Sequence, residues 1–332
     1  MPEVVAAGSA HAAIDKACDL LRIKLVHVPI DPVTCEMDLA AAAAAVNENT
    51  IMIYASAPNY PQGVIDPIPA LSELALERGV GLHVDCCLGG FFLPFARKLR
   101  PGTIECFDFG NPGVTSISAD THKYGYATKG TSVVLYRNKA LRAHQFFTFP
   151  TWQGGKYSTP STPGSRPGLL SAATWTSMMR LGEEGYMDAT ERILQASEKL
   201  QAAIQRIDGI RLVGNPQAMV VAFASDSFNV YRVSAALGRR GYHLASCQYP
   251  PCVHLALTLR HTGETMTEIV GALEESVAEV QATPAPAEEE GVGIYGSEAP
   301  AGASAGELSG EREVGEVRTA DRDSAALTGK RG

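Results

Sequence analysis

Strand-like and helix-like segments alternate through residues 1–120, and that alternation limits the possible folds more than any other feature of the chain. Residues 2–5, 23–28, 49–55 and 81–85 are short runs rich in β-branched and apolar residues, and Val114 and Ile117 open another. Between them, residues 12–21, 38–48 and 68–78 carry helical patterning, with Ser9 placed to cap the first helix. Strands that alternate with helices at this spacing predict a parallel sheet with right-handed crossovers, an α/β fold. In such sheets ligands sit beyond the carboxyl ends of the strands. The alternation is already under way at Pro2, which suggests that the sequence starts inside a longer unit.

The second half is patterned differently. Residues 144–168 are rich in Gly, Pro, Ser and Thr and read as a long loop, of the kind that is functional or interfacial in a compact domain. A helix over 169–181 ends near Gly182, and a longer one follows over 183–207. Strands are expected at 210–213, 219–224, 242–247 and 253–259, with helices at 230–240 and 266–280. This predicts a large domain over 1–182 and a smaller α+β domain over 183–282. Residues 283–332 are dominated by Pro, Ala, Gly, Ser and Glu and read as a disordered acidic tail. Ten acids and five bases lie there, so −5 of the net charge of −8 is local. The negative balance argues against nucleic acid as a partner. No apolar run is long enough to span a bilayer. Seven cysteines without CxxC spacing suggest reduced thiols in a cytosol-facing protein and no metal centre.

Two residues stand out at expected strand ends. Asp85 closes the apolar run Gly81-Leu-His-Val-Asp85, and Lys123 lies in the small-residue segment Ser116-Ile-Ser-Ala-Asp-Thr-His-Lys-Tyr-Gly125, the next strand end but one. A carboxylate there is expensive unless something cationic pairs with it; the plainer alternatives are a helix N-cap or a structural ion pair. An amine buried beside apolar walls loses its proton readily and becomes a nucleophile. Asp85 with His122 and Lys123 suggests pyridoxal phosphate. The lysine would hold it as a Schiff base, and the aspartate would keep the pyridine nitrogen protonated so that the ring acts as an electron sink. Gly89-Gly90 fits a ligand cavity or a tight turn.

Several blocks resemble the sphingosine-1-phosphate lyase family, fold type I pyridoxal-phosphate enzymes related to the group II decarboxylases. They are Ser9-Ala-His-Ala-Ala-Ile-Asp-Lys-Ala17, Ser56-Ala-Pro-Asn-Tyr-Pro-Gln-Gly-Val-Ile-Asp-Pro-Ile68, residues 83–95, Asp120-Thr-His-Lys-Tyr-Gly-Tyr-Ala-Thr-Lys-Gly130 and Gly164-Ser-Arg-Pro-Gly168 with the helix that follows. His-Val-Asp and Thr-His-Lys are shared with the decarboxylases; the Tyr-Pro-Gln-Gly, Cys-Leu-Gly-Gly-Phe and Gly-Ser-Arg-Pro-Gly blocks are closer to the lyases. The resemblance implies that His11 stacks on the pyridine ring, Asp85 pairs with its nitrogen, His122 helps hold the phosphate and Lys123 carries the cofactor. Lys129 matches a second active-site lysine. Gly164, Ser165 and Arg166 match a loop delivered across a homodimer interface.

The sequence departs from that pattern in places. The family's glycine-rich phosphate loop and amino-terminal membrane anchor would lie upstream of His11 and are not in this sequence, which would make this chain a partial large domain and cytoplasmic. In the family the enzyme sits at the endoplasmic reticulum membrane, facing the cytosol. Cys86 stands where the family usually has alanine against the ring, and Gln62 where it often has histidine. The implied activity is carbon–carbon cleavage of a phosphorylated long-chain base to a fatty aldehyde and phosphoethanolamine. Alternatives are an amino-acid decarboxylase, which shares the electron sink, and a truncated non-catalytic paralogue that only dimerises.

Overall fold

A computed structural model of the chain describes residues 1–283. The acidic tail expected over 283–332 lies, beyond its first residue, outside the described residues. The amino-terminal half forms a six-stranded sheet in the order β2-β1-β3-β4-β5-β6. Its strands are β1 (Glu3–Ala7), β2 (Lys24–Val28), β3 (Thr50–Ser56), β4 (Gly81–Asp85), β5 (Val114–Ala119) and β6 (Val133–Tyr136). The first five are parallel and β6 runs antiparallel to β5 at the edge. Helices α1 (Ala13–Leu21), α2 (Leu39–Ala45), α3 (Ile68–Arg78) and α4 (Leu93–Leu99) supply crossovers. Asp38 caps α2 by accepting from the Ala41 N–H (2.9 Å). Ser9 does not cap α1: the N-cap is Ala12, and His11 Nδ1 accepts from the Ala13 N–H (3.0 Å).

The segment expected as one long loop carries more structure than its composition suggests. After α5 (Lys139–Ala143) it forms a two-stranded ribbon, β7 (Phe147–Phe149) and β8 (Tyr157–Thr159). Then α6 (Gly168–Ile204) runs through a break at Gly182, whose φ of 59° and ψ of −174° interrupt the helix where the sequence expects an end. Arg100 at the end of α4 grips the second half of α6, bonding both Glu191 oxygens (2.7 and 3.1 Å) and Glu198 (3.0 Å). Lys98 pairs with Glu183 just past the break.

The carboxyl-terminal part is an antiparallel sheet, β11-β12-β10-β9, backed by α7 (Tyr231–Arg239) and α8 (Glu264–Ala282). Its strands are β9 (Arg211–Leu212), β10 (Val220–Ala224), β11 (Ala245–Gln248) and β12 (Pro251–Ala256). β11 starts later than the expected 242 because Gly241, at φ 87°, ends α7: the Tyr242 N–H donates to Leu237 O (3.0 Å) in a left-handed helix stop. One buried apolar cluster runs from Val5 and Ile53 of the first sheet through Ile193 and Leu200 of α6 to Val221, Val253 and Leu273. Gly63 sits at that junction with φ 73°; a Cβ there would lie 2.3 Å from Val220 O.

Candidate active site

Strand register brings the candidate residues together. β4 pairs directly with β5, so Asp85 and the Lys123 turn occupy adjacent strand ends, not ends separated by a further strand. On one face of the sheet, Tyr54 lies opposite His83 and His83 opposite Ser116, while the next row holds Ser56, Asp85 and Ser118. Helix α1 packs over this face, with Ile14 and Cys18 against Val4, Ala6 and Tyr54. His11 starts that helix and is half-buried.

Asp85 is buried at 7% exposure, and among the described residues no cation forms an ion pair with it. Three neutral donors replace the expected cation: the Tyr54 hydroxyl at Oδ2 (2.6 Å), the Cys87 N–H (2.9 Å) and the Ser118 hydroxyl (2.8 Å) at Oδ1. Burial works against the carboxylate, yet Tyr54, the Cys87 N–H and Ser118 together hold it below its ordinary pKa. An ionised Asp85 only accepts, so Ser118 spends its proton on it and must accept from His83 Nε2 (3.2 Å). His83 Nδ1 then accepts from the Ser116 hydroxyl (2.8 Å). This assigns a neutral Nε2–H tautomer, consistent with burial pulling the imidazole pKa down. Stacking on Tyr54, with ring centroids 5.2 Å apart, fixes the ring plane.

Lys123 projects from the turn after β5. Its Nζ lies 3.0 Å from Asp120 Oδ2, and the same carboxylate oxygen is 3.6 Å from His122 Nε2. Burial lowers the affinity of the amine for its proton, but Cys87 and Asp120 outweigh it and hold the amine well above its ordinary pKa. Burial beside Asp85 pushes the Cys87 thiol up to about 11, so it is neutral at pH 7 and Asp120 is the anion that holds the proton on Lys123. The expectation of an easily deprotonated amine is therefore reversed in this state: the lysine is stored as an ammonium ion.

The turn itself is clamped. Tyr124 donates to Leu257 O after β12 (2.7 Å), Tyr186 of α6 to Gly125 O (2.9 Å), and Ser177 to Tyr126 O (3.2 Å). His122 Nδ1 donates to Thr131 O (2.6 Å), and Thr121 bonds the same carbonyl and the Thr131 hydroxyl.

Other candidates fall elsewhere. Cys86 is fully buried on the core side, and Cys87 is the thiol beside Lys123. Gly89 and Gly90 serve packing: added Cβ atoms would lie 2.1 Å from Ala57 O and 2.5 Å from Ala119 Cβ. Lys129, Gly164 and Ser165 are exposed, and the described contacts of this single chain do not join them to Lys123. Gln62 is buried with neither side-chain Oε1 nor Nε2 bonded among the described residues. Tyr54, Ser118 and Asp120 were not singled out from the sequence. Period-2 alternation in His83-Val-Asp85 and Ser116-Ile-Ser118 was the available signal, but it becomes informative only once the register is known.

The model of the pyridoxal-dependent decarboxylase conserved domain matches residues 1–226. The chain belongs to the pyridoxal-dependent decarboxylase family. Within curated proteins it is 46% identical over 262 residues to a sphingosine-1-phosphate lyase of Dictyostelium discoideum, covering 79% of this chain and 49% of that protein. It is 43% identical over 323 residues to one of Arabidopsis thaliana, covering 97% and 58%. A solved Burkholderia pseudomallei sphingosine-1-phosphate lyase superposes with a TM-score of 0.83 at 42% identity, covering 85% of this chain and 64% of that one. The fold is thus that of fold type I pyridoxal-phosphate enzymes. The chain spans about half the length of the curated relatives it matches.

The residues present fit the cofactor that this family implies. An ionised, buried carboxylate and a lysine stand at adjacent carboxyl ends of parallel strands. Ser9, just past the end of β1 on the same sheet edge, has a buried hydroxyl with no protein partner among the described residues. No group of three or more His, Cys, Asp or Glu among the described residues could hold a metal ion.

Proposed function

We propose that the chain is the core of a pyridoxal-phosphate-dependent carbon–carbon lyase acting on a phosphorylated long-chain base, releasing a fatty aldehyde and phosphoethanolamine. The observation that carries the reading is the pairing of an ionised Asp85 with Lys123 across adjacent strand ends, linked through Cys87 and Asp120. The names of the relatives support the substrate class over an amino acid.

When bound, pyridoxal phosphate supplies an electron-withdrawing ring that stabilises negative charge on the carbon bearing the substrate amine. Lys123 would hold the cofactor aldehyde. Its amine must first pass a proton away, and Asp120, 3.0 Å off, is the adjacent acceptor. Asp85 would bond the pyridine N–H and keep that proton in place; its three neutral donors leave its charge uncancelled for that purpose. His11, at the start of α1, would cover the ring face. His122 and Thr121 would line the phosphate side. Lys129, Gly164 and Ser165 would reach a site as parts of a second subunit.

A homodimer has its own support in an exposed apolar surface. Val133, Val134 and Leu135 of β6, Phe147 of β7, and Trp175 and Met179 of α6 are all exposed. No helix among the described residues is long and apolar enough to cross a membrane. Seven free cysteines support a reducing, cytosol-facing compartment.

The test is to supply the chain with pyridoxal phosphate and either a phosphorylated sphingoid base or L-amino acids. Aldehyde released from the first, and lost in Lys123→Ala, is expected. Carbon dioxide from the second without aldehyde from the first would overturn the reading in favour of a decarboxylase.

A further inference from the structure

The second sheet contains a thiol cluster that the proposed chemistry does not use. Cys247 of β11 and Cys252 of β12 are register partners, directly opposite one another on one face of an antiparallel pair. Such partners have Cα atoms about 4.5–5.5 Å apart, inside the range a disulfide spans without backbone movement. His254, two residues along β12, shares that face, and its Nδ1 lies 3.5 Å from Cys247 Sγ. The same Nδ1 is 2.9 Å from Pro61 O, which can only accept, so the imidazole carries its proton there and presents an N–H to the sulfur. His254 Nε2 is buried without a partner among the described residues, and Tyr60 packs edge-on against the ring at 4.7 Å.

The two thiols are not equivalent. Cys252 is fully buried; Cys247 is 8% exposed, on a strand at the sheet edge, two residues from Tyr249, which is 87% exposed. Donation from the Cys252 thiol and from His254 holds the Cys247 thiol below its ordinary pKa. Cys247 is thus the attacking sulfur and Cys252 the resolving one. Cys35 belongs to the same buried cluster, although the described residues contain no metal-binding group.

We propose that Cys247 and Cys252 form a reversible cross-strand disulfide, a two-electron redox site that takes a hydroperoxide as oxidant and a low-molecular-weight thiol as reductant. Cys247 sulfur attacks a peroxide oxygen; the O–O bond breaks, leaving a sulfenic acid and, after proton transfer, water or the alcohol. Cys252 sulfur then attacks Cys247 sulfur, the S–O bond breaks, and hydroxide leaves as water with the Cys252 proton. The protein loses two electrons and two protons, and the peroxide gains both. Reduction proceeds by thiol exchange, the small thiol ending as its own disulfide.

The site also touches the first sheet. In the reduced state Cys247 Sγ lies 3.6 Å from Pro61 O, in the loop that leaves β3 beyond Tyr54.

The test oxidises the purified, reduced full chain with hydrogen peroxide, then denatures, alkylates and digests it with trypsin. Peptide 241–260, which contains both cysteines, is expected to lose both alkylation sites and the mass of two hydrogens, and to regain them with dithiothreitol. Cys252→Ser is expected to leave a dimedone-trappable sulfenic acid on Cys247, and Cys35→Ala to leave the oxidation unchanged, each variant keeping the parent circular dichroism. Full alkylation of peptide 241–260 after peroxide would overturn the proposal. So would a cross-link from either thiol to Cys35, or the absence of any dimedone adduct in folded Cys252→Ser.

Discussion

Removing the Tyr54 hydroxyl tests whether Asp85 is held ionised by neutral donors. In Tyr54→Phe the ring keeps its place on His83, while Asp85 Oδ2 loses a 2.6 Å donor in a buried setting. A hydrogen bond to a charged group contributes about 1.5–3 kcal/mol, so the variant is expected to lose about that much stability at pH 7. The melting point should fall by roughly 3–5 °C for a chain of this size. The loss should depend on pH with a definite sign. The Asp85 pKa is depressed in the folded state, so its contribution is present above the unfolded carboxyl value of about 3.9 and is lost as pH falls through the folded value. Losing one donor raises the folded value. The gap between parent and variant should therefore be constant from pH 8 to about 6 and shrink toward pH 4. The assay is urea unfolding of both chains, without cofactor, across that range. A gap below about 0.5 kcal/mol at pH 7, or one that widens as pH falls, would refute the account of Asp85.

Three further outcomes follow from the same structure. Asp120→Asn removes the anion beside Lys123 and should lower the amine pKa, so modification of Lys123 by pyridoxal phosphate followed by borohydride should become faster at pH 7–8, as read by mass spectrometry. Gly63→Ala puts a Cβ 2.3 Å from Val220 O at a positive φ and should cost more than about 3 kcal/mol in urea unfolding. Tyr124→Phe removes the bond to Leu257 O and leaves that buried carbonyl without this donor, so it should destabilise the chain by about 1–3 kcal/mol in the same assay.

What the sequence disclosed depended on how local the signal was. The strand–helix alternation announced the parallel sheet, and α3 and β4 fall at their expected limits because a Gly follows one and an Asp ends the other. Lys123 and Asp85 were legible as polar residues at strand ends. Tyr54 and Ser118 were not, because only β3-β4-β5 register places them against Asp85, and register is a property of the assembled sheet. The protonation of Lys123 was misjudged for a related reason: burial was anticipated, but not an acid three residues upstream folded back by the turn. The β7–β8 ribbon escaped notice because its short strands lie in Gly-, Pro- and Ser-rich sequence. The pairing of Cys247 with Cys252 likewise needed the hairpin register.

The central claim, that Lys123 is the lysine which carries the cofactor, is tested most directly by chemical capture. The chain is incubated with pyridoxal phosphate, reduced with borohydride and digested, and the pyridoxyl group is mapped. The account predicts one dominant adduct on Lys123, accompanied by an absorption band that Lys123→Ala abolishes. A dominant adduct on Lys129 or another lysine, or an unchanged band in Lys123→Ala, would contradict it.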